Sequence, residues 1–152
     1  MKNGLENPAF DLTVGVNYFF NGDHQACLKH LLQAKRRLTS KTDFVVELNL
    51  RGLLCRIWYE LDDLESMVYE VHSYRAFLSR LKKFSKSRIK SYGNFCKYLL
   101  RLERVIHVQV VAKRYQKLGE FSKKIQSEEN LAHRDWLKQV VAREMSKAAP
   151  KT

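Results

Sequence analysis

The chain has 152 residues, of which 45% are hydrophobic and 29% are charged, so it is globular rather than intrinsically disordered. No apolar run approaches the roughly 18 residues of a membrane span, and Glu6 and Asp11 precede the apolar stretch 12–20, where a signal peptide would be positively charged. Three cysteines without a recognised spacing favour a reducing compartment over a disulfide framework. We therefore expect a cytoplasmic protein that does not enter a membrane.

The net charge of +12 is distributed unevenly along the chain. Residues 1–74 contain 8 Lys and Arg against 10 Asp and Glu, a net charge of −2, whereas residues 75–152 contain 20 against 6, a net charge of +14. From Arg75 to Arg101 there are nine basic residues and no acidic one. A face that is only solvated usually mixes both signs, so the missing acidic residues favour a binding surface for an anionic partner. The alternative is that the segment is only a solvated helix face.

Both prolines lie near the chain ends, at Pro8 and Pro150, and Gly is scarce. A chain with so few internal helix breakers and turn residues favours an all-α fold. The apolar periodicity predicts eight helices, at about 9–21, 24–38, 43–61, 64–82, 87–103, 105–118, 120–128 and 131–146.

The first two predicted helices carry a pattern of small and large residues on either side of a Gly-Asp turn. Its members are Val14, Gly15, Tyr18, Gly22-Asp23, Cys27, Leu31 and Ala34. Small residues at Gly15 and Cys27 would let two antiparallel helices approach closely, while Tyr18 and Leu31 fill the surrounding space. The pattern therefore predicts a tightly packed helical hairpin.

The pattern recurs twice further along the chain, at spacings of 40 and 41 residues. The second copy consists of Leu54, Cys55, Trp58, Asp62-Asp63, Met67, Val71 and Tyr74, and the third of Phe95, Cys96, Leu99, Val108, Ala112 and Tyr115. Periods of 20–50 residues indicate stacked repeat units. The three copies resemble the tetratricopeptide repeat family, which implies a stack of antiparallel helical hairpins, and the stretch NLAHRDWLKQVV is similar to the ends of bacterial helical-repeat proteins of unknown function.

We accordingly predict one domain over residues 1–152. Its parts are repeat units at about 8–40, 43–82 and 87–118, capping helices at about 120–146 and a short disordered tail at 147–152. Leu131, Trp136, Leu137, Val140 and Val141 give the last helix an apolar face that can close the stack.

Helix ends are marked by capping and turn residues. Ser40 or Thr42, and Ser85 or Ser87, are the predicted N-caps of the third and fifth helices. Gly119 is predicted to end a helix.

In the tetratricopeptide family, residues of the first helix of each unit line an inner groove. The resemblance implies that the groove here is lined by Asn49, Arg56 and Tyr59 in the second copy and by Lys90, Lys97 and Arg101 in the third. Arg104 shares a helix face with Lys90 and Lys97 by its spacing. Leu12 and Val16 stand where the family's clamp for a C-terminal carboxylate carries Lys and Asn, so we do not expect that clamp.

The first helix is apolar on nearly all sides, which is typical of a helix that is buried all round. As the outermost helix of a stack it would expose Phe10, Phe19 and Phe20, and exposed aromatic residues favour docking. We expect a homodimer through this helix or a partner that covers it. The alternative is that residues 1–8 or the last helix fold back over it.

Catalytic and metal sites have little support. Cys27 and His30 are three residues apart on one helix, but no second ligand pair accompanies them, and the cysteines are more typical of buried apolar residues. The acidic run 60–65 lies at a helix–helix turn, where Asp63 can cap the following helix. We predict no cofactor, no metal and no catalytic residue.

The sequence thus predicts a non-enzymatic adaptor or scaffold whose basic groove binds an acidic protein segment. The alternative is a nucleic-acid-binding protein that uses segment 75–104 against phosphates, although the recognised sequence-reading modules are absent. An enzyme with an unrecognised site is the third and weakest hypothesis.

Overall fold

A computed structural model describes residues 7–150, and within this range the chain forms seven α-helices and no β-strand. The prediction of an all-α fold is confirmed. The helices are α1 (Pro8–Phe20), α2 (His24–Arg36), α3 (Phe44–Glu60), α4 (Leu64–Arg80), α5 (Lys86–Ile106), α6 (Val111–Ser127) and α7 (Arg134–Ala148). The chain divides into two compact units, unit 1 (Met1–Tyr74) and unit 2 (Arg75–Thr152), at the position where the charge balance changes sign.

Unit 1 is built around the contacts of α1 with α2 and of both with α3. Its core consists of Leu12, Cys27, Leu31, Ala34, Leu50, Leu53, Leu54 and Ile57. A Cβ atom on Gly15 would lie 2.7 Å from Leu31 Cδ2, so α1 and α2 approach as closely as they do because residue 15 has no side chain. The packing role predicted for Gly15 is confirmed.

The turns of the first two hairpins have the same backbone geometry. Gly22 has a φ of 80°, and Asp62, forty residues later, has a φ of 59°. In each turn the N–H of the next residue, Asp23 or Asp63, donates to the carbonyl oxygen five residues earlier at 3.0 Å. These bonds satisfy carbonyl groups that the ending helix would otherwise leave unpaired. The first two copies are therefore repeats in structure as well as in sequence at this turn.

The residue after each of these turns caps the next helix. Asp23 Oδ1 accepts from the Ala26 N–H at 3.2 Å, and Asp63 Oδ1 accepts from the Ser66 N–H at 3.0 Å. The predicted cap at Asp63 is confirmed, and the acidic run at this turn has a structural use.

The third copy does not reproduce the turn, because Glu103 and Arg104 stand where the first two copies have Gly22-Asp23 and Asp62-Asp63. Glu103 takes the position of Asp62 and remains helical, so α5 continues to Ile106. Val108 then precedes α6 and Ala112 is exposed, so the second-helix equivalences of the third copy are wrong. Gly119 lies inside α6 and does not end a helix, so the two helices predicted at 105–118 and 120–128 are replaced by one.

Two further predictions concern helix ends. Ser85 caps α5 by accepting from the Arg88 N–H at 3.3 Å, as predicted, whereas α3 is capped by Asp43 rather than by Ser40 or Thr42. The predicted disordered tail at 147–152 begins too early, because Lys147 and Ala148 are in α7 and Ala148 is only 1% exposed. Residues 151 and 152 lie outside the described residues.

In unit 2, α5 packs against α6 and α7, which also pack against each other. The predicted apolar face of α7 is buried as expected. The loop between α6 and α7 is fastened to α5 by Glu128, which accepts from Tyr98 Oη at 2.9 Å and from Asn94 Nδ2 at 3.1 Å. Arg134 donates to the carbonyl oxygens of Gln126 and Glu128, so a partly buried network of hydrogen bonds holds this loop.

Candidate functional site

A concave surface of unit 1 is a pocket of about 300 Å³ between α1 and α3. It is lined by Leu12, Thr13, Val16, Asn17, Asn49, Leu53 and Arg56. These residues come from the first helices of the first two copies, which is where the tetratricopeptide resemblance places a groove. We call this pocket the α1–α3 groove.

The groove combines three kinds of chemistry. Leu12, Val16 and Leu53 form an apolar part, and the side chains of Asn17 and Asn49 offer both hydrogen-bond donors and acceptors. The guanidinium group of Arg56 lies 5.2 Å from the centre of the Phe19 ring, a distance typical of a cation–π contact. Since Arg56 is in contact with Phe19 and still lines the groove, its charge is positioned where a carboxylate could bind.

Asn49 and Arg56 therefore lie in one pocket, as predicted, but Tyr59 does not. Tyr59 is 8% exposed and belongs to the buried residues of α3. The prediction that Tyr59 faces a partner is wrong. The physical reason is that α3 is buried on several sides, so a position one turn beyond Arg56 is already in the core.

The predicted cations of the third copy lie on α5 in unit 2. Lys90, Lys97 and Arg104 are exposed, and Arg101 is partly buried with its guanidinium 5.9 Å from the centre of the Tyr98 ring. Their spacing of seven, four and three residues gives them one helix face, opposite the buried Phe95 and Leu99. We call this surface the α5 basic face.

The α5 basic face belongs to a stretch whose charges are not neutralised within the described residues. None of the nine Lys and Arg residues from Arg75 to Arg101 forms an ion pair there. Their positive charges are available to an external anion. The α1–α3 groove is a surface of unit 1 and the α5 basic face a surface of unit 2.

The three aromatic residues predicted for docking differ in exposure. Phe20 is 77% exposed and Phe10 is 44% exposed. Phe19 is partly buried, between Arg56 and the ring of Phe20 at 5.6 Å. Two of the three aromatic residues predicted for docking are therefore exposed to solvent, while Phe19 contacts Arg56 of the groove.

Sequence reasoning missed a buried carboxylate next to the groove helices. Asp11 is 3% exposed, and its side chain accepts from Arg37 Nη1 and lies 3.5 Å from Nδ1 of His30. The His30 ring also stacks on Tyr18, with 5.5 Å between the ring centres. The sequence signal for this network was an Asp within a largely apolar helix. Its partner Arg37 lies 26 residues away, too far along the chain to be identified from helical periodicity.

The three cysteines are buried and form no disulfide with one another. Burial raises the pKa of Cys27 and of Cys96 to about 12 each, so both thiols are protonated and poorly nucleophilic at neutral pH. Among the described residues, no group of three or more His, Cys, Asp and Glu side chains is arranged to bind a metal ion.

Comparisons with known proteins do not name a family. No protein-family model, no curated protein and no solved structure matches this chain. Over the described residues, none of the helices has the length and apolar character that crossing a membrane requires.

Proposed function

We propose that the protein is a non-enzymatic interaction adaptor, built as a tetratricopeptide-like set of stacked hairpins, that binds an acidic protein segment. The observation that carries this proposal is the α1–α3 groove, where Asn17, Asn49 and Arg56 line a pocket together with apolar side chains. An extended peptide offers matching chemistry at each point, since carboxamides pair with peptide groups and Arg pairs with a carboxylate. Three buried thiols that form no disulfide with one another support a cytoplasmic location.

The charge of unit 2 supports an acidic partner. A net charge of +14 on residues 75–152 would attract an anionic segment and raise its rate of association. Such steering depends strongly on salt, whereas the contacts inside the α1–α3 groove are partly shielded and depend on it less.

A peptide titration tests the proposal. An extended peptide of alternating Glu and Leu and its Gln-Leu counterpart are titrated at physiological salt by isothermal titration calorimetry. We expect the Glu peptide to bind, and Arg56→Glu to weaken binding by about tenfold or more, as expected for removal of a charged hydrogen bond. Arg36→Glu is the matched control, because Arg36 is exposed on α2 and does not line the groove.

A second variant separates loss of binding from loss of folding. Asn49 is exposed, so Asn49→Leu should leave the helical circular dichroism unchanged and still weaken the binding of the Glu peptide. Equal binding of the Glu and Gln peptides, or equal effects of Arg36→Glu and Arg56→Glu, would contradict the groove as the site.

A second candidate function is nucleic-acid binding through the α5 basic face, and the unpaired cations of this stretch favour it. We propose titrating single-stranded RNA and DNA from low to physiological salt with the wild type and with Lys90→Glu/Lys97→Glu/Arg104→Glu. Loss of three phosphate contacts should lower the slope of log K against log salt by about 2. The control is Lys113→Glu/Lys117→Glu/Lys123→Glu, which changes the charge equally on exposed positions of α6. Equal losses in both variants would indicate only general attraction.

The exposed aromatics of α1 provide a further contact, and we propose that α1 mediates a homodimer. Sedimentation should detect a dimer that survives high salt and is lost in Phe10→Ser/Phe20→Ser, since apolar burial is not screened. The control is Val110→Ser, which removes an apolar side chain that is 62% exposed in unit 2. A monomer at all concentrations, or a dimer unaffected by the double variant, would contradict self-association through α1.

A further inference from the structure

A second pocket lies on the α3–α4 hairpin of unit 1, apart from the residues of the α1–α3 groove. Its volume is about 290 Å³, and it is lined by Trp58, Glu65, Ser66, Tyr69 and Glu70. Two aromatic rings and two carboxylates thus line one concavity. None of these residues lines the α1–α3 groove.

Two of the residues that line the pocket, Trp58 and Glu70, each carry a buried polar atom that the described residues leave without a hydrogen-bond partner. Glu70 is 3% exposed; its Oε1 accepts from Lys35 Nζ at 2.8 Å, but its Oε2 has no partner within the described chain. The Nε1–H of Trp58 is likewise buried and lacks an acceptor there. Buried polar atoms in proteins are nearly always paired. The unpaired acceptor of Glu70 and the unpaired donor of Trp58 therefore indicate a ligand that has both a hydrogen-bond donor and an acceptor.

The lining selects a cation. Glu65 and Glu70 supply two negative charges, and among residues 7–150 the ion pair found at these two carboxylates is that of Lys35 with Glu70. The Lys35 ammonium also lies 5.9 Å from the centre of the Tyr69 ring, so the chain itself already places a cation between a carboxylate and an aromatic face. The Ser66 hydroxyl donates to Asp63 Oδ2 at 2.8 Å, so its proton is already committed.

We propose that this pocket binds an arginine side chain of a partner protein segment. The guanidinium group has five donors, enough to reach Glu70 Oε2 while its plane lies against Trp58 or Tyr69. The backbone carbonyl next to that arginine would accept from Trp58 Nε1–H. Both unpaired atoms are buried, so the ligand would enter by displacement of the Tyr69 side chain, which is 69% exposed.

This site takes a basic segment, whereas the groove proposed above takes an acidic one, so the two proposals can fail independently. If both hold, the molecule joins two partners of opposite charge, as expected of an adaptor. Lys35 would then act as an internal competitor that occupies Glu70 until the arginine arrives.

Tryptophan fluorescence offers a direct test, because the chain has only two tryptophans. Trp136→Phe removes the buried one in unit 2 and leaves Trp58 as the reporter. The probes are the blocked tripeptide Gly-Arg-Gly, its isosteric citrulline counterpart, and agmatine, which has a guanidinium group but no carbonyl. We expect a saturable change of Trp58 fluorescence with the arginine peptide. The citrulline peptide should bind about tenfold more weakly because it loses a charged hydrogen bond, and agmatine about tenfold more weakly because it loses the buried hydrogen bond to Trp58.

The variants distinguish a binding role from a structural one. Glu70→Gln and Tyr69→Ala should each weaken the arginine peptide by about tenfold, and Tyr69→Ala changes a side chain too exposed to be needed for folding. Lys35→Met should tighten binding, because it removes the competing ammonium; a purely structural ion pair would give no gain. Equal responses to arginine and citrulline peptides would overturn the site, and equal responses to the arginine peptide and agmatine would overturn the protein segment as its ligand.

Discussion

Unit 1 and unit 2 use charge in opposite ways. In unit 1 the buried carboxylates Asp11 and Glu70 are paired with Arg37 and Lys35. Some of the cations of unit 1 are therefore engaged in internal ion pairs. In unit 2 the carboxylate of Glu128 fastens a loop through neutral donors, the Tyr98 hydroxyl and the Asn94 amide.

The difference shows which cations are available for binding. Lys35 and Arg37 belong to a basic run at the C-terminal end of α2 that resembles a binding patch in the sequence, but both form ion pairs within unit 1. From Arg75 to Arg101 no acidic residue is present to engage the nine cations. The local balance of signs, rather than the number of Lys and Arg residues, therefore distinguishes a binding surface from a structural ion pair.

The largest expected effect is a loss of stability at alkaline pH that both units share. The pKa of Cys27 in unit 1 and of Cys96 in unit 2 is about 12 in the folded state, above the value of 9.0 for an unburied thiol. As the pH rises, the unfolded chain therefore loses these protons before the folded chain does. The contribution of the two protonated thiols to the free energy of unfolding is fully present below pH 9 and is lost as the pH rises towards 12. Each thiol should lower the free energy of unfolding by about 1.4 kcal/mol per pH unit in that window.

Urea unfolding at a series of pH values checks this expectation. Cys27→Ala and Cys96→Ala should each flatten the pH dependence by the share of one thiol, and the double variant by both. Lys and Tyr residues also titrate in this window, so the comparison is the difference in slope between wild type and variant. A slope that both single variants leave unchanged would show that the thiols do not contribute.

Substitutions of one glycine in each unit should have opposite effects on stability. Gly15→Leu forces a side chain into the α1–α2 contact, where even a Cβ would lie 2.7 Å from Leu31 Cδ2, and should cost about 3 kcal/mol. Gly93→Ala on α5 meets no atom within 4 Å and should gain up to about 1 kcal/mol from helix propensity. Thermal unfolding by circular dichroism measures both, and a stable Gly15→Leu protein would contradict the close approach.

Isosteric changes at Asp11 and Glu128 should lower the free energy of unfolding by different amounts in the two units. Asp11→Asn removes the charge opposite Arg37, whose side chain is 36% exposed, and should cost about 2 kcal/mol, less than for a fully buried pair. Glu128→Gln retains one acceptor for Tyr98 or Asn94 and should cost about 1 kcal/mol. Urea unfolding of both variants gives the order, and a larger loss for Glu128→Gln would reverse this interpretation.

The smallest effects should come from the turn that only unit 1 retains. Asp62→Gly relieves a non-glycine φ of 59° and should gain about 0.5 kcal/mol, whereas Gly22→Ala at a φ of 80° should cost about 1 kcal/mol. Glu103→Gly, at the equivalent position inside α5, should cost about 1 kcal/mol as an interior helix glycine. A stabilising Glu103→Gly would imply that a turn is still favoured there.

The repeat was predictable where small residues and turn residues determine the geometry. Gly15, Gly22 and Asp63 each have one strong physical use, and each does in the structure what its residue type indicates. The third copy was mispredicted because its apolar residues match the repeat pattern while its turn residues do not. Turn chemistry, rather than apolar spacing, decided where α5 ended.

The candidate site was predictable in its polar members and not in its buried ones. Asn49 and Arg56 both line the α1–α3 groove, but Tyr59 is among the many buried residues of α3. The ion pairs of Asp11 and Glu70 join residues 26 and 35 positions apart. Such contacts depend on tertiary packing, which periodicity along one helix does not reveal.

The three buried thiols also make the protein its own reporter of local motion. Cys27 is in α2, Cys55 in α3 and Cys96 in α5, so each belongs to a different helix. A thiol that is covered in the native state reacts with an alkylating reagent only when its surroundings open, and the rate reflects the free energy of that opening. Mass spectrometry of alkylated peptides would therefore give three local opening energies from one unmodified protein, two in unit 1 and one in unit 2.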